Sequence, residues 1–248
     1  MIDWPRYSVY NSPDYLKLRE EIINPGPGTP KAWAYPWCIL NGQLKKYLFS
    51  IDLGSGSWTN FTQYINLITN SLTVGVDISN LQKDIRDVRF VQGDIGKLEF
   101  PSNFFDRIFS VSVLEHVPIS SRSQVCDELF RVLRPGGLAV ITIDWIFGMN
   151  NQLLSQLSVS EYLGRTGSQI YGNYNFSKLI SDYAHITSPL KPIDEIYLPG
   201  SPKFDEERIL ADKDRLVSES TDITDVDLFK YTTVGLIMQK HGEPQDEY

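Results

Sequence analysis

At 248 residues, with 42% hydrophobic and 22% charged residues and a net charge of -8, the chain has the length and composition for one large globular domain. An acidic chain lacks the clustered Lys and Arg that phosphate binding draws on, which argues against nucleic acid as a partner. Cys38 and Cys126 make no disulfide framework, and no run reaches the roughly 20 apolar residues of a membrane helix. The start, Asp3-Trp4-Pro5, has neither the basic nor the apolar stretch of a secretory signal, so a reducing cytoplasm with no membrane partner is expected.

Residues 1–40 hold seven aromatics and six prolines, with a turn-rich Asn24-Pro25-Gly26-Pro27-Gly28. They are expected to form an N-terminal arm, packed on the core by its aromatics or closed as a lid over a ligand. Its deletion is expected to stop turnover and leave the rest folded. Residues 41–248 then form the main domain. From residue 47 a rhythm begins. Tyr47 to Leu53 is an apolar run ending in glycine, and Thr59 to Asn70 reads as a helix. Leu72 to Val76, Val88 to Gln92 and Phe105 to Val111 are further β runs. Ser121 to Arg134 is a helix, with Val125, Leu129, Val132 and Leu133 on one face, stopped by Pro135-Gly136-Gly137 with glycine suited to a left-handed cap. Leu138 to Ile143 is a fifth strand. Short apolar strands alternating with helices predict an α/β fold with a parallel sheet covered on both faces.

Past Asp144 the pattern changes. Asn150–Ser160 and Ser177–Ala184 read as helices, and Ile193–Leu198 and Tyr231–Gln239 as strands that could pair across a long insertion. Insertions are expected around 148–190 and 200–228. The second carries nine acidic and four basic residues between Lys203 and Asp227, most of the net charge. It reads as a solvated face, or as an attractor for a cationic substrate.

The chemistry is expected in the turns. Ile51-Asp52-Leu53-Gly54-Ser55-Gly56 sits where a β run meets a helix, and its glycines let backbone approach a ligand at a helix N-terminus. A dinucleotide enzyme would place a third glycine where Thr59 stands, which argues mildly against a dehydrogenase. Asp77 ends the next β run about 20 residues on, where a carboxylate can accept from ribose hydroxyls of any adenosine-type ligand. Asp94, at the carboxyl end of the third run, could accept from an adenine amino group, with Ile95 against the ring. Then come Phe105 to Val117, which contains Leu114-Glu115-His116, and the helix end Leu129-Phe130-Arg131-Val132-Leu133-Arg134-Pro135-Gly136-Gly137.

In order and spacing these five elements, over about residues 47–144, resemble the class I S-adenosylmethionine-dependent methyltransferases, especially their small-molecule branch. The resemblance implies a Rossmann-like seven-stranded sheet, mostly parallel, with an antiparallel last strand. It implies that Asp52, Gly54, Ser55 and Gly56 hold the methionine end of S-adenosylmethionine, with S-adenosylhomocysteine as product. Asp77 would bind the ribose and Ile78 flank the adenine. Asp94 and Ile95 would meet the adenine edge and face, and Ser110 and Val111 offer backbone contacts near the sulfonium. Where the family often has a third glycine, this chain has Trp58.

The expected activity is in-line methyl transfer to an oxygen or nitrogen of a small-molecule metabolite. A hydroxyl nucleophile would use a base, for which His116 and Asp144 are the candidates and His185 a weaker one. The three histidines lack ligand spacing, so no metal is expected. Two alternatives remain open: a nucleotide-binding oxidoreductase on the same topology, and a non-catalytic cofactor-binding partner protein.

Overall fold

The alternation of strand and helix expected from residue 47 onward is present in the computed structural model, which describes residues 2–3, 12–22, 31–56, 60–79, 84, 87–146, 190–192 and 231–240. The elements, in chain order, are β1 (Ile2–Asp3), α1 (Pro13–Ile22), α2 (Lys31–Asn41), β2 (Ser50–Leu53), α3 (Phe61–Thr69), β3 (Thr73–Asp77), β4 (Val88–Gln92) and β5 (Phe105–Val111). A 3-10 turn (Leu114–His116), α4 (Ile119–Val132), β6 (Leu133–Ile146), β7 (Leu190–Pro192) and β8 (Tyr231–Lys240) follow.

The strands form one sheet in the order β1-β8-β6-β5-β2-β3-β4. β2 lies parallel between β3 and β5, β4 parallel to β3, and β6 parallel to β5. β8 runs antiparallel to β6 from Ile146↔Tyr231 to Leu138↔Gln239. The expected antiparallel last strand is therefore present. The strand count differs from the expected seven. The outer edge of β8 is paired from Gly235 to Lys240 by two short pieces, β7 at Leu190↔Lys240 to Pro192↔Met238 and β1 at Ile2↔Leu236 and Asp3↔Gly235, so the sheet has eight strands among the described residues.

Alternation along the strands sends side chains to two cores. Ile51, Leu53, Val74, Val76, Ile108 and Ile141 face α4, which brings Val125, Leu129 and Val132. Phe109, Val111, Leu138, Val140 and Ile237 face the other way, onto α1, α2 and α3. The second layer contains the described part of the aromatic arm. Trp33 and Trp37 are stacked with ring centroids 5.3 Å apart, and Trp37 is fully buried. A Cβ on Gly235 of β8 would lie 2.5 Å from the Trp37 ring, so glycine lets the indole rest on the strand. Tyr35 and Phe61 pack at 4.7 Å, and Phe61 meets Phe109 edge-on. These aromatics are core, continuous with the sheet.

The long helix ends earlier than expected. α4 stops at Val132, and Leu133 is already extended and paired with Phe105. Arg134 to Gly137 then bulge out before pairing resumes at Arg107↔Leu138. The left-handed residue is Gly136, at φ +78°, inside that bulge and not at the helix cap. Arg134 bridges to Asp106 at 3.1 Å, and Asp106 accepts the Phe49 amide at 2.8 Å, which fastens the bulge to the amino end of β2. The expected helices at 150–160 and 177–184, the strand at 193–198, the acidic segment and nearly all of both insertions lie outside the described residues.

Candidate functional site

From β2 the chain moves outward to β3 and β4, then returns to the other side of β2 as β5. Strand order reverses there, and in such sheets ligands settle at the carboxyl ends beside the reversal. A cleft of about 430 Å³ lies at this place, with Gly54, Asp77, Ile78, Asp94 and Ile95 along it. The turns after β2, β3 and β4 thus meet in one wall. The opposite wall is Val113 and His116 from the turn after β5, and Val117, Pro118, Ser121 and Val125 from the start of α4.

The glycine turn has its geometry for stated reasons. Gly54 sits at φ +72° and Gly56 at φ +59°, backbone that favours glycine. A Cβ on Gly54 would meet Val113 Cγ2 at 2.3 Å. The amides of Gly54 and Ser55 both donate to the Val76 carbonyl, at 2.7 and 3.1 Å, which folds the turn back onto β3. Ser55 is 5% exposed, its hydroxyl without a hydrogen-bond partner and packed toward Gly75, where a Cβ would lie 2.8 Å away.

Asp52 lies beneath this turn, on the face opposite Ile51 and Leu53, and does not line the cleft. It is 2% exposed and accepts a hydrogen bond from Thr62 Oγ1 at 2.7 Å. Burial pushes its carboxyl up to about 7; the Thr62 bond opposes that and the charge of Asp77 adds to it. The Cys38 thiol, buried in α2, is held well above its ordinary range by burial and then by Asp52. Thr62 carried no sequence signal, because its role exists only once α3 is folded against β2.

Asp77 is the most connected of these residues. Its Oδ2 accepts the Gly56 amide at 3.0 Å, and its Oδ1 accepts the Ser79 amide at 2.9 Å and the Ser79 hydroxyl at 2.6 Å. Partial burial raises the carboxyl, but these donors together with the Ile78 amide outweigh it and hold the group below its ordinary value. It is therefore ionised at neutral pH. Ile78 is 76% exposed, a large apolar side chain left uncovered at the rim. Asp94 Oδ1 accepts the Gly96 amide at 2.8 Å, while Ile95 is buried.

Ser110 and Val111 end β5 within the sheet, paired with Leu53 and with Ile141 and Thr142. Val113, not named in advance, reaches the cleft instead. His116 lines the cleft. Asp144 is paired with Thr233 in β6, and its side chain lies outside the described residues, as do Trp58, Thr59, His185 and His241. Among the described residues no group of three His, Cys, Asp or Glu could hold a metal ion. No helix among them is long and apolar enough to cross a membrane.

A family profile described as "Methyltransferase domain" matches residues 51–141, from the strand before the glycine turn into the strand after α4. Over that stretch, less than half of its length, the chain is similar to the methyltransferase family. Within that family, sterol 24-C-methyltransferase of Pneumocystis carinii is 32% identical over 107 residues, 39% of this chain and 27% of its own. The ubiquinone/menaquinone biosynthesis C-methyltransferase UbiE of Coxiella burnetii is 41% identical over 56 residues, 23% of this chain and 22% of its own. The chain thus spans about a quarter of the length of these curated relatives. Geranyl diphosphate C-methyltransferase of Streptomyces coelicolor A3(2) shares the fold, with a TM-score of 0.57 at 12% identity over 83% of this chain and 74% of that one. So does the [4+2]-cyclase SpnF, at 0.51 and 13% over 84% and 79%.

The methyltransferase family implies S-adenosylmethionine, and the residues present fit it. The ionised Asp77 can accept from a sugar diol, the Gly54 turn has no room for a Cβ, and exposed Ile78 and buried Ile95 give the same wall of the cleft apolar surface for a base.

Proposed function

We propose that this chain moves a methyl group from S-adenosylmethionine to a small molecule. The observation that carries the reading is Asp77, ionised, tied to the glycine turn through Gly56 and open to the cleft. When bound, S-adenosylmethionine supplies a methyl made electrophilic by the sulfonium. The work left to the protein is to hold, orient and exclude water. Asp77 would hold the ribose hydroxyls. Ile78 and Ile95 would flank the adenine and Asp94 its amino edge. Gly54, Ser55 and Gly56, with Asp52 beneath them, would shape the methionine end, and Ser110 and Val111 would set the strand end behind it.

The acceptor is proposed to be a metabolite, methylated at oxygen or nitrogen. The names of the sterol and quinone relatives add carbon as a third acceptor atom. For a hydroxyl acceptor, His116 in the cleft wall would receive the proton, with Asp144 at the end of β6 as the other candidate. A solved [4+2]-cyclase shares the fold, so a cofactor-binding chain with another role is the second reading.

Calorimetry with S-adenosylhomocysteine tests the site. The wild-type chain should bind, and Asp77→Ala should bind roughly a hundredfold more weakly, because two hydrogen bonds to a charged group are lost. Equal affinity in the two proteins would remove the ribose assignment. Incubating hydroxyl, amine and activated-carbon acceptors with labelled methyl donor should then give transfer in one arm. Binding with no transfer in any arm would favour the second reading.

A further inference from the structure

Asp77 already has its full set of donors within the protein. A carboxylate offers about four lone-pair sites. The amides of Gly56, Ile78 and Ser79 and the Ser79 hydroxyl all face this one. A ribose diol brings two more donors to the same oxygens, so something must yield. The amides are held by the path of the chain. The Gly56 amide follows a turn fastened to Val76, and the Ile78 segment is pinned by Gln92 Nε2, which donates to the Ile78 carbonyl at 3.0 Å. Behind them the Gly93 amide donates to the Asp77 carbonyl at 2.8 Å. The Ser79 hydroxyl is different. It sits on an exposed residue and leaves Asp77 by a single χ1 rotation into water.

We infer that the Ser79 hydroxyl stands in for a ribose hydroxyl on Asp77 in the free protein and is displaced when a cis-diol ligand binds, so that Ser79 sets the affinity for the cofactor. This rests on the ribose role of Asp77 proposed above. At 2.6 Å, the bond to Asp77 is of the short, charge-assisted kind, so its loss on binding is a real cost against the incoming diol. In the free state the same bond steadies the carboxylate that also holds the glycine turn. Ser79 is then a positioning residue whose removal tightens binding, the opposite of what loss of a ligand contact does.

The test is calorimetry on the full chain with S-adenosylhomocysteine and with its 2′-deoxy and 3′-deoxy analogues. Ser79→Ala should bind the diol ligand about three- to tenfold more tightly than wild type, the worth of one displaced hydrogen bond. Ser79→Thr keeps the hydroxyl and should return to the wild-type value. The gain should vanish with whichever deoxy analogue lacks the hydroxyl that takes the place of Ser79. A Ser79→Ala affinity equal to or weaker than wild type, with unchanged thermal unfolding, would overturn the inference and leave the ribose role of Asp77 standing. A gain of equal size for all three ligands would overturn it too. Failure of the wild-type chain to bind S-adenosylhomocysteine at all would remove the ribose role itself.

Discussion

Asp52 and Asp77 stand on neighbouring parallel strands, and burial pushes both carboxyls upward. They part company over donors. Asp77 gathers several, and Asp52 has Thr62. The consequence for Asp52 is a pH dependence of stability with a definite sign. Its carboxyl rises from 3.8 to about 7 on folding, so between those values the folded chain keeps a proton that the unfolded chain has lost. Stability from this group is greatest below pH 4, falls as pH rises toward 7, and is level above. Asp52→Asn removes the titration, and Thr62 Oγ1 can still donate to the amide oxygen. The variant should match wild type at pH 4 and exceed it at pH 8, by no more than about 4 kcal/mol. Urea titrations across that range check this, and parallel stability profiles for the two proteins would refute it. At this scale the sequence was informative where a role is set by chain-local geometry. Gly54 and Asp77 were legible because a turn between strand and helix restricts what can stand there. Thr62 was not, because its partner comes from the packing of α3 on β2, and Ser79, though only two residues from Asp77, is an ordinary hydroxyl that composition and spacing do not single out.

α4 shows the same division one level up. Its apolar stripe was readable from spacing, but its polar stripe was not. Gln124 Nε2 donates to the Gly96 carbonyl at 2.8 Å, Glu128 accepts the Leu98 amide at 2.7 Å, and Arg131 donates to the carbonyls of Leu98 and Phe100 at 2.8 and 2.7 Å. Glu128 and Arg131 also pair with each other at 2.7 Å. The helix therefore grips the backbone of the loop that follows Asp94 and Ile95. The Arg-Val-Leu-Arg-Pro-Gly-Gly run was visible in the sequence, yet its two arginines do separate jobs, one on that loop and one on Asp106. Their targets lie far along the chain, mostly backbone groups that spacing does not reveal. Arg131→Met should cost about 1–3 kcal/mol, since two half-buried carbonyls lose their charged donor. Hydrogen exchange should also quicken at the Leu98 amide. A loss of stability with no change at Leu98 would show that Glu128 holds the loop unaided.

For the molecule as a whole, the parallel sheet and its antiparallel last strand were legible from residues 47–144 and the late apolar run. For residues 1–40 the sequence left two compatible readings, an arm packed on the core by its aromatics and a lid over a ligand. The described aromatics of α1 and α2 follow the first of these: they are a layer of the core, buried against Phe61, Phe109 and Val140. Periodicity identifies an apolar face without saying which surface it covers. Deleting residues 1–41 should therefore abolish cooperative thermal unfolding, in place of the folded, inactive remainder expected from sequence. Trp37→Ala in the full chain should cost about 3–5 kcal/mol. A truncated chain that unfolds cooperatively would restore the lid.

The seam between β1 and β8 carries a consequence for how the polypeptide is made. Ile2 finds its partner only at Leu236, and Trp37 its seat only at Gly235. Trp37 can pack on Trp33, and its helix on Phe61, Phe109 and Val140, before β8 is made, but its contact with Gly235 waits for that strand. Closure of this edge of the sheet is therefore a contact of long sequence separation, formed after the rest of that layer.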